Sequence, residues 1–153
     1  MIKWNLTAVA LWLAAAMSAA AAHEGERFSA GELGDPKQPA RVVKMTMRED
    51  GKKMLFEPAY ITVHKGEQIR FVLMNDGTES HEFVLATAAQ NRKHAQLMKG
   101  HQHMAHDDPN AKRLTPFTEG EIVWKFTRRG TFEYACLIPG HYEAGMHGTI
   151  EVK

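Results

Sequence analysis

Cys136, His141 and Met146 share one short run, Tyr134-Ala-Cys136-Leu-Ile-Pro-Gly-His141-Tyr-Glu-Ala-Gly-Met146-His-Gly, of the form Cys-x4-His-x4-Met. A thiolate, an imidazole and a thioether therefore fall within eleven residues, and Pro139, Gly140 and Gly145 let the chain turn back on itself. A second imidazole must come from elsewhere. His81 is the best candidate, because it opens a short strand just after the turn at Asn75-Asp-Gly77. Two histidines and one cysteine in a trigonal arrangement, with a weak axial methionine, suit copper. Cu(I) favours soft sulfur and Cu(II) favours nitrogen, so a mixed set tolerates both and little has to move when an electron arrives or leaves.

The same residues have plainer uses. A lone cysteine is often a small buried hydrophobe, and a lone histidine near a strand end is often a surface group. Zinc is the competing metal, but structural zinc sites use close-spaced Cys and His pairs and no Met. No pattern of a cysteine with His and Asn partners suggests a cysteine protease. The chain has one cysteine, so no internal disulfide can form and a bimetallic centre needing two cysteines is excluded.

The compartment bears on that thiol. Met1 to Lys3 give a short positive start, Leu6 to Ala16 an apolar run, and Ser18 to Ala22 a small-residue stretch. Residues 1–22 read as a cleaved signal peptide with His23 as the new N-terminus. The run is short and alanine-rich for a membrane span, so the expected product is soluble, periplasmic and without a membrane anchor. An exported free thiol is open to oxidation and needs a reason, which metal ligation supplies.

The remaining residues suit a single domain. The hydrophobic share of 44% and charged share of 24% are ordinary for a globular protein. Lys+Arg total 19 against 18 for Asp+Glu, a balance that argues against nucleic acid as partner.

The frame reads mostly as strands. Residues 23–40, with Gly25, Gly31, Gly34, Pro36 and Pro39, suggest a flexible N-terminal arm. Alternating stretches follow at Arg41 to Arg48, Tyr60 to Val63, Gln68 to Met74, His81 to Leu85, Glu121 to Phe126, Thr131 to Tyr134 and Gly148 to Val152. Turn signals separate them, including Glu49-Asp50-Gly51 and His64 to Glu67. This predicts an all-β fold, a Greek-key β-sandwich over 41–153, with a short helical insertion. The insertion is the stretch 87–115, which has no alternation.

Nine histidines and nine methionines are unusual. His94, Met98, His101, His103, Met104 and His106 crowd into the insertion, and His94, Met98 and His101 share one face of a helix by their spacing. They form a possible second copper site, or else a polar helix whose methionines pack on the sandwich. His23, with its α-amino group, could chelate one Cu(II) if the leader is cut at Ala22. A disordered terminus is the alternative. His147 follows Met146 directly and should point away from the main site.

From Arg41 to Lys153 the sequence resembles the cupredoxin superfamily, the relatives of plastocyanin and azurin. The stretch from Phe56 to Phe71 looks like the early strands of that fold, and Asn75 to Leu85 like its first-histidine segment. The loop is similar to those of azurin, rusticyanin and auracyanin, with one more residue between histidine and methionine than azurin has. The His/Met-rich insert followed by His106-Asp-Asp-Pro-Asn resembles the periplasmic copper-tolerance cupredoxins of Gram-negative bacteria. The resemblance implies one type 1 (blue) copper centre held by His81, Cys136, His141 and Met146. It also implies a hydrogen bond from the Glu82 amide to the Cys136 sulfur, and an electron port at the His141 edge. Trp124 and Phe126 would be core residues.

The leading reading is a non-enzymatic, redox-active copper protein of copper tolerance. A dedicated electron carrier between respiratory proteins is the alternative, and a cuprous oxidase a more distant one. The expected partner is a redox protein, or a copper-transport or oxidase protein, docking near His141. A monomer is expected.

Overall fold

The computed structural model describes residues 28–98 and 108–153. Ten strands and one helix follow in chain order: β1 (Glu32–Leu33), β2 (Arg41–Asp50), β3 (Lys53–Glu57), β4 (Tyr60–Val63), β5 (Gln68–Asn75), β6 (His81–Ala86), α1 (Ala88–Met98), β7 (Ala111–Leu114), β8 (Glu119–Lys125), β9 (Gly130–Ala135) and β10 (His147–Val152). They form two five-stranded sheets, one ordered β1-β8-β5-β2-β3 and the other β4-β10-β9-β6-β7. The β2–β5 and β4–β10 pairs are parallel and the rest antiparallel. The all-β sandwich expected from the alternating stretches is present.

Alternation makes these strands, because successive side chains leave opposite faces. Along β5, Ile69, Phe71 and Leu73 are fully buried, and they meet Met45 and Met47 of β2 and Trp124 of β8 in the core between the sheets. From the second sheet Phe83 and Tyr134 stack with centroids 5.5 Å apart, and Phe56 stands edge-on to Tyr134 at 5.2 Å. Removing one such buried ring would cost about 3–5 kcal/mol. Trp124 is fully buried, as expected of a packing residue.

Strand β6 departs from alternation: His81 to Leu85 are all buried. The reason is α1, which covers the outer face of the sheet. Ala95 packs with Val84, Ala135, Leu137 and Tyr142 there. The helix begins at a capping box. The Thr87 Oγ1 accepts from the Gln90 amide, and the Gln90 Oε1 accepts from the Thr87 amide, each at 3.2 Å.

Several elements differ from the sequence reading. The described part of the expected flexible arm, residues 28–40, is tied to the first sheet. β1 pairs with β8, Ala30 is fully buried, and the Gly34 amide donates to Val123 O at 2.8 Å. A Cβ at Gly31 would meet Lys125 O at 2.1 Å, so glycine there permits the close approach of this segment. Among the described residues of the insertion 87–115, α1 forms the start and β7, paired with β6, lies near the end. Glu49 belongs to β2 rather than to a turn, and β3, unexpected from the pattern, pairs with it. The expected leader 1–22 and His23 lie outside the described residues, as do His101, His103, Met104 and His106.

Candidate metal centre

Strands β6 and β9 are antiparallel neighbours, with Val84 opposite Ala135. This register sets His81, the first residue of β6, beside the loop that leaves β9 at Cys136. The loop is closed at its base, where the Cys136 amide donates to Met146 O at 3.0 Å. Inside it, the amides of His141 and Met146 donate to Ile138 O and His141 O, both at 3.0 Å. Gly140 and Gly145 turn with φ of 91° and 100°, the left-handed region that glycine enters without strain. The neighbouring sheet braces the loop through the Met54 amide, which donates to Ala144 O at 3.1 Å. On the outer side Tyr142 donates to Glu133 at 3.2 Å, beneath α1.

The result is a compact donor set. His81, Cys136 and His141 are buried, and their ligand atoms all lie within 4.8 Å of one another. His81 Nδ1 is 3.3 Å from His141 Nδ1, and Cys136 Sγ is 3.4 Å from the same His141 atom. The outer nitrogens have other partners: His81 Nε2 is 2.8 Å from Glu49 Oε1, and His141 Nε2 is 3.3 Å from Glu79 Oε2. A carboxylate only accepts, so the ring protons belong on Nε2 and two bare Nδ1 lone pairs face each other. Lone pairs at that spacing repel unless a cation lies between them, and the separation suits two nitrogens bound to one ion at about 2 Å. This donor set fits a copper ion.

Electrostatics agree with a site built for a cation. Burial pushes the Cys136 thiol up to about 12, against the pull of the Ile138 and Glu82 amides. A metal ion reverses that penalty by binding the thiolate. The Glu82 amide donates to Cys136 Sγ at 3.3 Å, the contact expected from the family resemblance. Burial, with the facing His81 ring, holds His141 below the usual histidine value despite Glu79 and Glu49. Neutral imidazole is the form that binds metal.

Met146 is fully buried at the end of the loop, in the core cluster that includes Cys136. His147 is exposed and stacks on Tyr142 with centroids 4.9 Å apart, away from the donor set as expected. His94, one helical turn before Met98 on α1, does not join it. His94 is half-buried and lines a cavity of about 240 Å³ with Glu82, Asn91 and Asp108, and Met98 is buried. Glu49 and Glu79 escaped the sequence reading. Glu79 carried a signal in its place two residues before His81; Glu49 looked like an ordinary turn carboxylate.

Residues 43–153 match the copper binding proteins of the plastocyanin/azurin family. The chain is 49% identical to the copper-resistant cuproprotein CopI of Rubrivivax gelatinosus, over 80% of this chain and 73% of that one. It is 32% identical to the copper-resistant cuproprotein CopI of Pseudomonas aeruginosa, over 97% of this chain and 94% of that one. Among solved structures, auracyanin B superposes with a TM-score of 0.63 at 25% identity, covering 83% of this chain and 99% of that one. With its two-sheet sandwich and its paired His, Cys and His donors, the chain belongs to the plastocyanin/azurin family of copper-binding proteins.

Proposed function

We propose that this protein is a type 1 copper protein of copper tolerance, holding copper at His81, Cys136 and His141 with Met146 as the axial ligand. The observation that carries this reading is the buried meeting of two imidazoles and one thiol on a braced loop. The relatives named copper-resistant cuproproteins support the physiological half of it. Bound copper would supply a one-electron Cu(II)/Cu(I) couple. The protein's part is to hold the donors fixed in both states, keep the thiolate dry, and donate the Glu82 amide to the sulfur, which tunes the couple.

The role is holding or passing on copper rather than catalysis. A protein partner, whether an electron acceptor or a copper-transport or oxidase protein, would dock at the loop edge around His141. Export to the periplasm through the leader 1–22 fits this role. Among the described residues, no helix is long and apolar enough to cross a membrane.

Two measurements test the proposal together. The purified chain with Cu(II) should show intense visible absorption from thiolate-to-metal charge transfer. Expression should restore copper resistance to a strain lacking its own copy. A coloured protein that leaves resistance unchanged would favour the dedicated electron carrier, and a colourless one would reject the centre.

A further inference from the structure

Both histidine rings of the centre end on carboxylates, and the two carboxylates differ in kind. Glu49 comes from the end of β2. Its oxygens accept from the Thr78 amide at 2.9 Å and the Glu79 amide at 3.1 Å, and from His81 Nε2 at 2.8 Å. The His81 side chain is fully buried and that of Glu49 is 20% exposed. A Cβ at Gly77 would sit 2.5 Å from Glu49 Oε1, so the turn before His81 is shaped around this carboxylate. Asn75 completes the turn by accepting the Gly77 amide and donating to Glu79 O. Glu79 stands on the rim, 56% exposed, over His141 Nε2.

We propose that Glu49 and Glu79 are positioning residues that hold His81 and His141 by Nε2, direct both Nδ1 atoms at Cys136, and bias the bound copper toward Cu(II). The inference rests on the copper reading above. A carboxylate acceptor fixes the tautomer and orientation of a ligating imidazole and strengthens its donation to the metal. Each also sets a negative charge near the ion, which favours the dication over the monocation. Glu49 exerts the larger effect, because it is shorter in contact and shielded from water. Glu79 acts through solvent and is screened by salt.

The test uses the full mature chain and the variants Glu49→Gln, Glu79→Gln and Glu79→Asp. Imidazole nitrogen NMR of the metal-free parent should show both rings protonated at Nε2. With copper, the Gln variants should keep their visible absorption while their reduction potentials rise. For Glu49→Gln the expected shift is about tenfold toward the reduced state, or about 59 mV for one electron. Glu79→Gln should shift less, and its shift should shrink as ionic strength rises. Glu79→Asp, which keeps the charge, should stay nearer the parent.

A coloured parent whose Gln variants keep the parental potential would overturn the inference and leave the copper reading standing. Nδ1-protonated rings in the metal-free parent would also overturn it. A parent that never becomes coloured would reject the copper reading itself. If Glu49→Gln does not fold, Glu79→Gln and the parent tautomers decide the matter.

Discussion

His81 and His141 are sixty positions apart in the chain, yet their Nδ1 atoms face each other at 3.3 Å, and each ring's Nε2 turns to a carboxylate. Two bare nitrogens turned to one point repel each other, a cost that the two carboxylate acceptors offset and a shared cation relieves. Cys136 Sγ, 3.4 Å from His141 Nδ1, completes the set.

Cys136→Ser should abolish the visible absorption of the copper-loaded protein while leaving the sandwich folded. Cys136 is fully buried but small, and serine is close in volume. The change should cost about 1–3 kcal/mol, from a hydroxyl placed in a mostly apolar site. Optical spectroscopy and a thermal melt check both halves. Full colour in the variant would rule out the thiolate as ligand.

Met146→Leu should retain copper and raise the reduction potential, because a weak axial donor is lost while the stronger His and Cys ligands remain. Leucine nearly conserves volume, so the fully buried position should lose less than about 1.5 kcal/mol. Metal analysis and voltammetry provide the check. Loss of all copper would mean that Met146 is a principal ligand.

The metal-free protein should be most stable between about pH 6.5 and pH 9. Burial and the His81 ring hold His141 below its ordinary 6.5. The unfolded chain therefore takes up that proton first as pH falls, and stability drops below about 6.5. Burial pushes Glu49 up, but the Thr78 and Glu79 amides and His81 outweigh it and leave the carboxyl below its ordinary 4.5, so its contribution disappears at lower pH still. On the alkaline side burial raises the Cys136 thiol from 9.0 to about 12. The unfolded chain then ionises first above 9, and stability falls again. Each group adds a slope of up to about 1.36 kcal/mol per pH unit. Calorimetry across pH 5 to 10 is the measurement, and a flat melting temperature would contradict it.

Gly148→Ala should destabilise the fold by about 1–3 kcal/mol, the range for overpacking a close-packed interior. A Cβ there would lie 2.3 Å from the Tyr134 ring and hydroxyl, and Tyr134 is fully buried between Phe56 and Phe83. The ring is also pinned by its hydrogen bond to Pro58 O, so it cannot swing clear. Chemical denaturation gives the value. An unchanged midpoint would mean that the ring has room to move.

Replacing His94, Met98, His101, His103, Met104 and His106 by alanine or leucine should leave the coloured centre intact, since His94 stands apart from the three-residue cluster. If the segment stores or transfers copper, the variant should lose any copper bound beyond one equivalent and fail to restore resistance. Parental stoichiometry and resistance would mean that these side chains take no part in handling copper. Metal analysis and growth in copper separate the outcomes.

The loop ligands were legible before any fold was known, because Cys136, His141 and Met146 are local: their chemistry and spacing lie within eleven residues. His81 was legible by its place at a strand start after a turn. The sandwich followed from alternation strong enough to read in β5, β8 and β10. The helix at Ala88–Met98 was readable because alternation stops there. The short strands β1 and β7 were not legible, because β1 has two residues and β7, Ala-Lys-Arg-Leu, does not alternate, so their partners β8 and β6 define them. Nor was the role of Glu49. It sits thirty-two positions from His81 and looks like any carboxylate beside a glycine turn. The parallel pairing of β2 with β5, with Met47 opposite Asn75, brings it beside the turn that leads to His81, and burial there turns an ordinary acidic side chain into a fixed acceptor, since a buried imidazole N–H must find a partner.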